Sequence, residues 1–329
     1  MIFVDNGNIT DPSINLAIEE YILTNFKEAN MYLLFYVNKP SIIIGKNQNT
    51  IEEINTDYVE ENNLHVVRRL SGGGAVYHDM GNLNFSFISE DDGNSFSDFR
   101  TFTAPVVTAL QQMGVPAELS GRNDLQANGY KISGNAQFAS RGRMFSHGTL
   151  MLDSELENVV SALNVSDEKI RSKGIKSIRS RVANINDFLE NKISMDTFKE
   201  TLLHHLFEGD NAFERYTLTD EDWKHIMEIS ENRYRNWNWN YGKSPNYDVK
   251  KSKKFAAGMV DVRFKVQKGM ITDTSIYGDF FGTGDVKDIE ARLNGTKYEP
   301  QAIADTLEDV DTQTYFGPIA KEDILALLY

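Results

Sequence analysis

The chain has 329 residues, with 34 Lys and Arg against 48 Asp and Glu, a formal charge of −14 and no cysteine. A negative balance of that size argues against a general nucleic-acid or membrane-surface binder, since both depend on basic fields. The missing thiols exclude disulfides and zinc–thiolate sites, and the length favours about two domains.

In chain order, Met1 to Gly7 lacks a basic region followed by an apolar core, so no signal peptide is predicted. No apolar run reaches membrane-spanning length, and a soluble, cytoplasmic protein is expected. Asp11-Pro12 predicts a helix start, with Ile14, Ile18, Tyr21 and Ile22 at helical spacing. Strands are predicted over residues 31–37 and 41–45, and again at His65-Val66-Val67.

The next stretch, Arg68-Arg69-Leu70-Ser71-Gly72-Gly73-Gly74, runs two cations into three glycines. Consecutive glycines are poor strand and helix formers, tolerated where backbone N–H groups must approach a ligand closely. The arginines make that ligand an anion. A P-loop is excluded because no Lys-Ser or Lys-Thr follows the glycines, and a dinucleotide fingerprint because Ala75-Val76-Tyr77-His78 is strand-like. A strand at Asn84 to Ile88 and a helix from about Asp98 to Met113 follow.

Asn128-Gly129 predicts a hairpin turn. In the strand after it, alternation sets Lys131 and Ser133 on one face against Tyr130 and Ile132, and Gly134 invites close approach of a ligand. Adjacent Ser146 and His147 point to opposite faces of a strand and cannot be a nucleophile and its base. Residues 154–229 read as mainly helical, and residues 237–245 as a domain junction whose tryptophans pack. Residues 255–267, a turn at Lys268-Gly269 and residues 270–277 predict a hairpin, with helices near 285–293 and 321–328. Strands cluster without regular crossover helices, which is an α+β pattern.

Together these motifs resemble the lipoate–protein ligase family of the biotin/lipoate ligase superfamily, in its bacterial form with a C-terminal accessory domain. The likeness rests on Arg68 to Asp79, Gly81 to Phe85, Gly121 to Leu125, Lys131 to Ala136, His147 to Leu150 and Lys173 to Asn184, in that order. It implies a catalytic domain over 1–243 with a mixed, mostly antiparallel sheet, like class II aminoacyl-tRNA synthetases and biotin ligases. A small α+β domain over 244–329 follows. It further implies that lipoate and ATP form lipoyl-AMP and pyrophosphate, with Mg2+ assisting, and that the lipoyl group then passes to a carrier lysine. The carriers are the lipoyl domains of 2-oxoacid dehydrogenase acyltransferase subunits and the glycine cleavage H protein; no nucleic acid or membrane takes part.

Carried over by position, Arg69, Gly74, Ala75, Val76, Tyr77 and Lys131 bind ATP. Lys131, Ser71, Gly73 and His147 bind lipoate, and Lys131 is catalytic. Asp124 is a candidate magnesium ligand, or a partner of a lysine or of Arg122. The acyltransferase relatives hold their acyl group as a cysteine thioester, and this chain has no cysteine. Two alternatives stay open: a ligase for biotin or octanoate, and a non-catalytic lipoate- or nucleotide-binding module of the same fold.

Overall fold

The computed structural model describes residues 1–93, 95–163, 181–207, 213–241, 249–267 and 269–329. These fall into two compact units. The first comprises Met1–Ile43, Ile51–Arg68 and Val76–Asn240; the second comprises Ile44–Thr50, Arg69–Ala75 and Tyr241–Tyr329. The second unit therefore gathers two short segments from the N-terminal half of the chain.

The first unit holds β1 (Ile2–Asp5), β2 (Met31–Val37), β3 (Ser41–Ile44), β4 (His65–Arg68), β5 (Val76–His78) and β6 (Asn82–Glu90). It continues with β7 (Ala117–Ser120), β8 (Asp124–Ala127), β9 (Tyr130–Ser140), β10 (Arg143–Met151) and β11 (Arg215–Thr217). Eight of these form one sheet in the order β11-β1-β2-β6-β10-β9-β8-β7, beside a smaller β4-β3-β5 sheet. In the large sheet the pairs flanking β1 are parallel and the remainder antiparallel, the mixed, mostly antiparallel sheet expected.

Both faces of the sheet are covered, which is why β2 reads as an unbroken apolar run. On one face, Leu33, Phe35, Phe85, Phe87, Leu125, Ile132 and Met144 join the core. Side chains of helices α2 (Phe99–Gln112) and α4 (Met195–Leu206) complete it; α3 spans Leu156–Ala162. On the other face α1 (Pro12–Asn25) packs against β2, β6 and β10. Asp11 caps α1 by accepting from the Ser13 N–H, and Pro12 opens it. The helix buries Asn15 and Glu19 along with its apolar residues, and buried polar groups need partners. The β8–β9 turn has positive φ at Asn128 (49°) and Gly129 (83°), as a type I′ hairpin requires.

Three strands escaped the sequence pattern, β1 at Ile2–Asp5 being the first. Residues 154–229 are not all helical: Arg215–Thr217 forms β11, too short to show a period, and pairs parallel to β1. Within that range, residues 164–180 and 208–212 lie outside the described residues, as do 242–248 of the predicted junction and Lys268 of the predicted turn. In the second unit the expected hairpin, β13 (Gly258–Gln267) and β14 (Met270–Gly278), gains a third strand, β12 (Val249–Phe255). Its sequence, Val-Lys-Lys-Ser-Lys-Lys-Phe, hides the strand, because lysines are typical protection for an edge. Helices α5 (Val286–Leu293), α6 (Pro300–Thr306), α7 (Thr312–Phe316) and α8 (Lys321–Leu328) contribute to a core with Val260, Val262, Phe264 and Ile276. Among the described residues no helix is long and apolar enough to cross a membrane.

Candidate functional site

In the first unit the site is built around a β-bulge. The β8–β9 register slips between Leu125, opposite Ser133, and Gln126, opposite Lys131, so Ile132 is extra. A bulge reverses the alternation beyond it. The sequence expectation that Lys131 and Ser133 share a face is therefore corrected. Lys131 shares its face with Gly134, where an added Cβ would lie 3.2 Å from the Lys131 Nζ. Ser133 is fully buried on the opposite side, its Oγ accepting from Asn135.

The Lys131 ammonium is held 2.8 Å from Asp124 Oδ1, with both side chains partly exposed. Thr149 on β10 receives the Gly134 N–H at its Oγ1 and lies two residues from His147 on the same face. His147 Nδ1 is 2.9 Å from Oε1 and 3.1 Å from Oε2 of Glu19, and both residues are buried. A carboxylate only accepts, so Nδ1 carries the proton and Nε2 is the ring atom turned away from Glu19. Ser146, pointing the other way, accepts from Gln137.

The end of the last family-like motif docks beside Lys131. The Lys131 N–H donates to the Arg181 carbonyl and the Ala183 N–H to the Lys131 carbonyl. Asn184 then clamps Ser154, its Oδ1 accepting from the Ser154 N–H and its amide donating to the Ser154 carbonyl. Residues 173–180 of the motif lie outside the described residues. Val76 and Tyr77 sit on β5, which pairs with Ile42 and Ile43 of β3. Burial pushes the Tyr77 hydroxyl pKa up, against a hydrogen bond with Asn158 that lowers it.

Within the second unit, the glycine loop is folded by Arg69. Its guanidinium donates to Ser71 Oγ at 2.9 Å, to the Gly72 carbonyl at 2.6 Å and to the Gly74 carbonyl at 2.9 Å. Backbone bonds from Lys46 to Ser71 and from Arg69 to Ile44 join the loop to residues 44–50, and the Gly278 N–H donates to Asn47. The three glycines differ. A Cβ on Gly72 would lie 2.5 Å from the Phe280 carbonyl, and Gly73, at φ +87°, would press on Phe281 and Arg69. Gly74 has nothing within 4 Å, leaving room for a ligand. Arg68, read from sequence as a second anion-binding cation, instead donates to the Trp239 carbonyl at 2.9 Å, while the Trp239 indole N–H donates back to the Arg68 carbonyl.

The profile for the lipoyl protein ligase A/B catalytic domain matches residues 11–207, and that for the bacterial lipoate protein ligase C-terminus matches residues 244–328. Lipoate-protein ligase LplJ of Bacillus subtilis is 60% identical over the full length of both chains. The chain belongs to the lipoate–protein ligase family. Among solved structures, P. falciparum LipL1 in complex with lipoate shares the fold at a TM-score of 0.80 and 24% identity, over 99% of this chain and 97% of that one. A lipoate-protein ligase A bound with ATP matches at a TM-score of 0.62, with 30% identity over 74% of this chain and 97% of its own.

In this lipoate–protein ligase, Lys131, Asp124 and His147 belong to the first unit, and Arg69, Ser71, Gly73 and Gly74 to the second. Glu19 was missed in the sequence; its signal was an acidic residue inside the apolar pattern of α1. Among the described residues no group of three or more His, Asp or Glu could hold a metal ion. Asp124 alone still suits Mg2+, which is commonly held by one or two carboxylates while substrate phosphates and water complete its shell.

Proposed function

We propose that the chain activates lipoate with ATP and transfers the lipoyl group to a lysine of lipoyl carrier domains and the glycine cleavage H protein. A lipoate carboxylate oxygen bonds to the α-phosphorus as pyrophosphate leaves. The carrier's amine then bonds to the acyl carbon, AMP leaves and the amine loses a proton. The observation that carries this reading is the bulge that turns Lys131 onto the face of Thr149 and His147. An ammonium there offsets the repulsion between carboxylate and phosphate, worth roughly 4 kcal/mol at about 4 Å and an effective dielectric near 20. Electrostatic groups fixed in advance are the main source of catalysis in such transfers.

In this proposal Arg69, Lys131 and the backbone of Gly74, Ala75, Val76 and Tyr77 hold ATP, and Arg69 also shapes that loop through its bonds to Ser71, Gly72 and Gly74. Ser71, Gly73 and His147 contact lipoate. Asp124 holds Lys131 in place and is the group that would touch Mg2+, which when bound neutralises phosphate charge. The ATP-bound relative supports nucleotide use. The profile boundaries support a catalytic part over 1–243 and an accessory part over 244–329. A cytoplasmic location goes with the use of ATP.

The test is transfer of a panel of free acids, with ATP and Mg2+, onto apo-carrier domains, read by intact mass. Lipoylated carrier is expected, with omission of Mg2+ abolishing it. Biotinylated and unlipoylated carrier would overturn the substrate assignment.

A further inference from the structure

The root of the glycine loop is gripped by the last residues of the first unit. The Arg68 N–H donates to Asn240 Oδ1 at 2.9 Å. The Arg68 guanidinium donates from Nε to the Trp239 carbonyl at 2.9 Å and from Nη2 to the Asn240 carbonyl at 3.3 Å. The Trp239 indole N–H returns a bond to the Arg68 carbonyl at 2.8 Å. Arg68 and Asn240 are buried and Trp239 is half-buried. The grip is itself braced. Asn240 Nδ2 donates to the Tyr234 carbonyl at 2.7 Å, at the end of a π turn over Ser230–Tyr234. The Arg233 guanidinium lies over the Trp239 ring, 4.9 Å from its centroid, and its Nε is 3.1 Å from Glu20 Oε2 on α1. Turns of the π type are rare and occur often beside functional sites.

The chain leaves the first unit for the second after Arg68 and again after Asn240, so the clamp ties two points of departure together. One peptide plane carries the consequence. Its carbonyl, from Arg68, accepts from the Trp239 indole, and its N–H, from Arg69, donates to the Ile44 carbonyl at 2.9 Å. A peptide unit is planar, so bonds at both polar atoms stop it turning and fix the direction in which the Arg69 side chain leaves the backbone. That side chain then folds the loop through Ser71, Gly72 and Gly74. We infer that Trp239 is a positioning residue for ATP: its indole N–H, 171 residues away in sequence, sets the plane from which Arg69 and the glycine loop are presented to the nucleotide. The inference rests on the proposed ATP site. Trp239 carries no charge and does not attract the anion; it acts through geometry. A loop held in shape beforehand need not be ordered when ATP binds, and that saving appears as affinity.

The test pairs hydrogen exchange with nucleotide binding. Trp239→Phe keeps a ring under Arg233 and removes the N–H. Exchange of the Arg69 amide should rise by about 3- to 10-fold, the span one net hydrogen bond gives, while exchange in β6 and β10 stays as in wild type. The Kd for a non-hydrolysable ATP analogue, measured by calorimetry without any acid, should rise by a similar factor. In lipoate-dependent pyrophosphate release the KM for ATP should follow it, with little change in kcat. Arg68→Met keeps the stem and drops the guanidinium bonds, and should weaken analogue binding as Trp239→Phe does. In an Arg69→Ala background, where the loop has lost its internal bonds, Trp239→Phe should add nothing further. Unchanged Arg69 exchange in Trp239→Phe would overturn the inference. So would weakened binding in Arg68→Met alone, which would make Arg68 a direct ligand of the phosphates, or a full further loss in the Arg69→Ala background. Wild-type protein that binds no ATP analogue would instead overturn the proposed ATP site, and the exchange result would still decide whether Trp239 holds the loop.

Discussion

Gly72 and Gly74 show how one motif can meet two demands. A methyl at Gly72 would lie 2.5 Å from a backbone carbonyl that cannot swing away, whereas at Gly74 it would meet nothing within 4 Å. Gly72→Ala should therefore destabilise the second unit by about 1–3 kcal/mol, as overpacking does, seen as a lowered Tm. Gly74→Ala should melt normally yet raise the KM for ATP; an unchanged KM would remove that residue from the nucleotide site. Lys131→Ala should lower adenylation and transfer about 10²–10³-fold, the usual loss for one electrostatic group. Asp124→Asn should give a smaller loss, because the ammonium remains but is no longer held. A titratable residue in the second unit adds a pH dependence. Burial pushes the Glu290 pKa up to about 7, against the Ile276 N–H that donates to it. The folded form thus favours the protonated acid, and the stability this provides is complete below about pH 4.5 and lost as pH rises through about 7. Glu290→Gln keeps an acceptor for Ile276 and should raise the free energy of unfolding at pH 8 more than at pH 5, by up to about 3 kcal/mol. Equal effects at both values would contradict it.

At the scale of elements, what could be read from sequence tracked how local each signal was. The capped α1, the Asn128-Gly129 hairpin and the strands flanking the glycine loop were all legible, because cap, turn and period lie within a few residues. β11 and β12 were not. The first is three residues long, and the second has a lysine-rich sequence whose strand form comes from pairing with β13. The same limit applied to the site. Lys131 stood out by its neighbours, but the face it points from depends on a bulge that one strand cannot reveal. Glu19 and Arg68 find partners more than one hundred residues away, at His147 and Trp239. The clamp at Asn184 was equally hidden. Asn184→Ala leaves two buried Ser154 backbone groups without their partner, which costs about 1–3 kcal/mol. It should also release residues 181–184 to proteolysis before the sheet melts; simultaneous loss of both would show that this segment has no separate stability.

At the scale of the whole molecule, the units do not follow the chain in simple order. The segments 44–50 and 69–75 pack with residues 241–329, through Gly278 on Asn47 and through Phe280 and Phe281 on Gly72 and Gly73. A chain cut after Tyr241 should keep a folded eight-stranded sheet by circular dichroism but lose ATP use, because the glycine loop loses its support. Full ATP use by the cut chain would show that the loop holds its shape unaided. The central claim, that this ligase joins lipoate to AMP with Lys131 between the two anions, is tested most directly by lipoate-dependent exchange of labelled pyrophosphate into ATP. The account predicts exchange in the wild type without any carrier protein and a loss of about 10²-fold or more in Lys131→Ala. Exchange that requires the carrier, or that survives undiminished in Lys131→Ala, would contradict it.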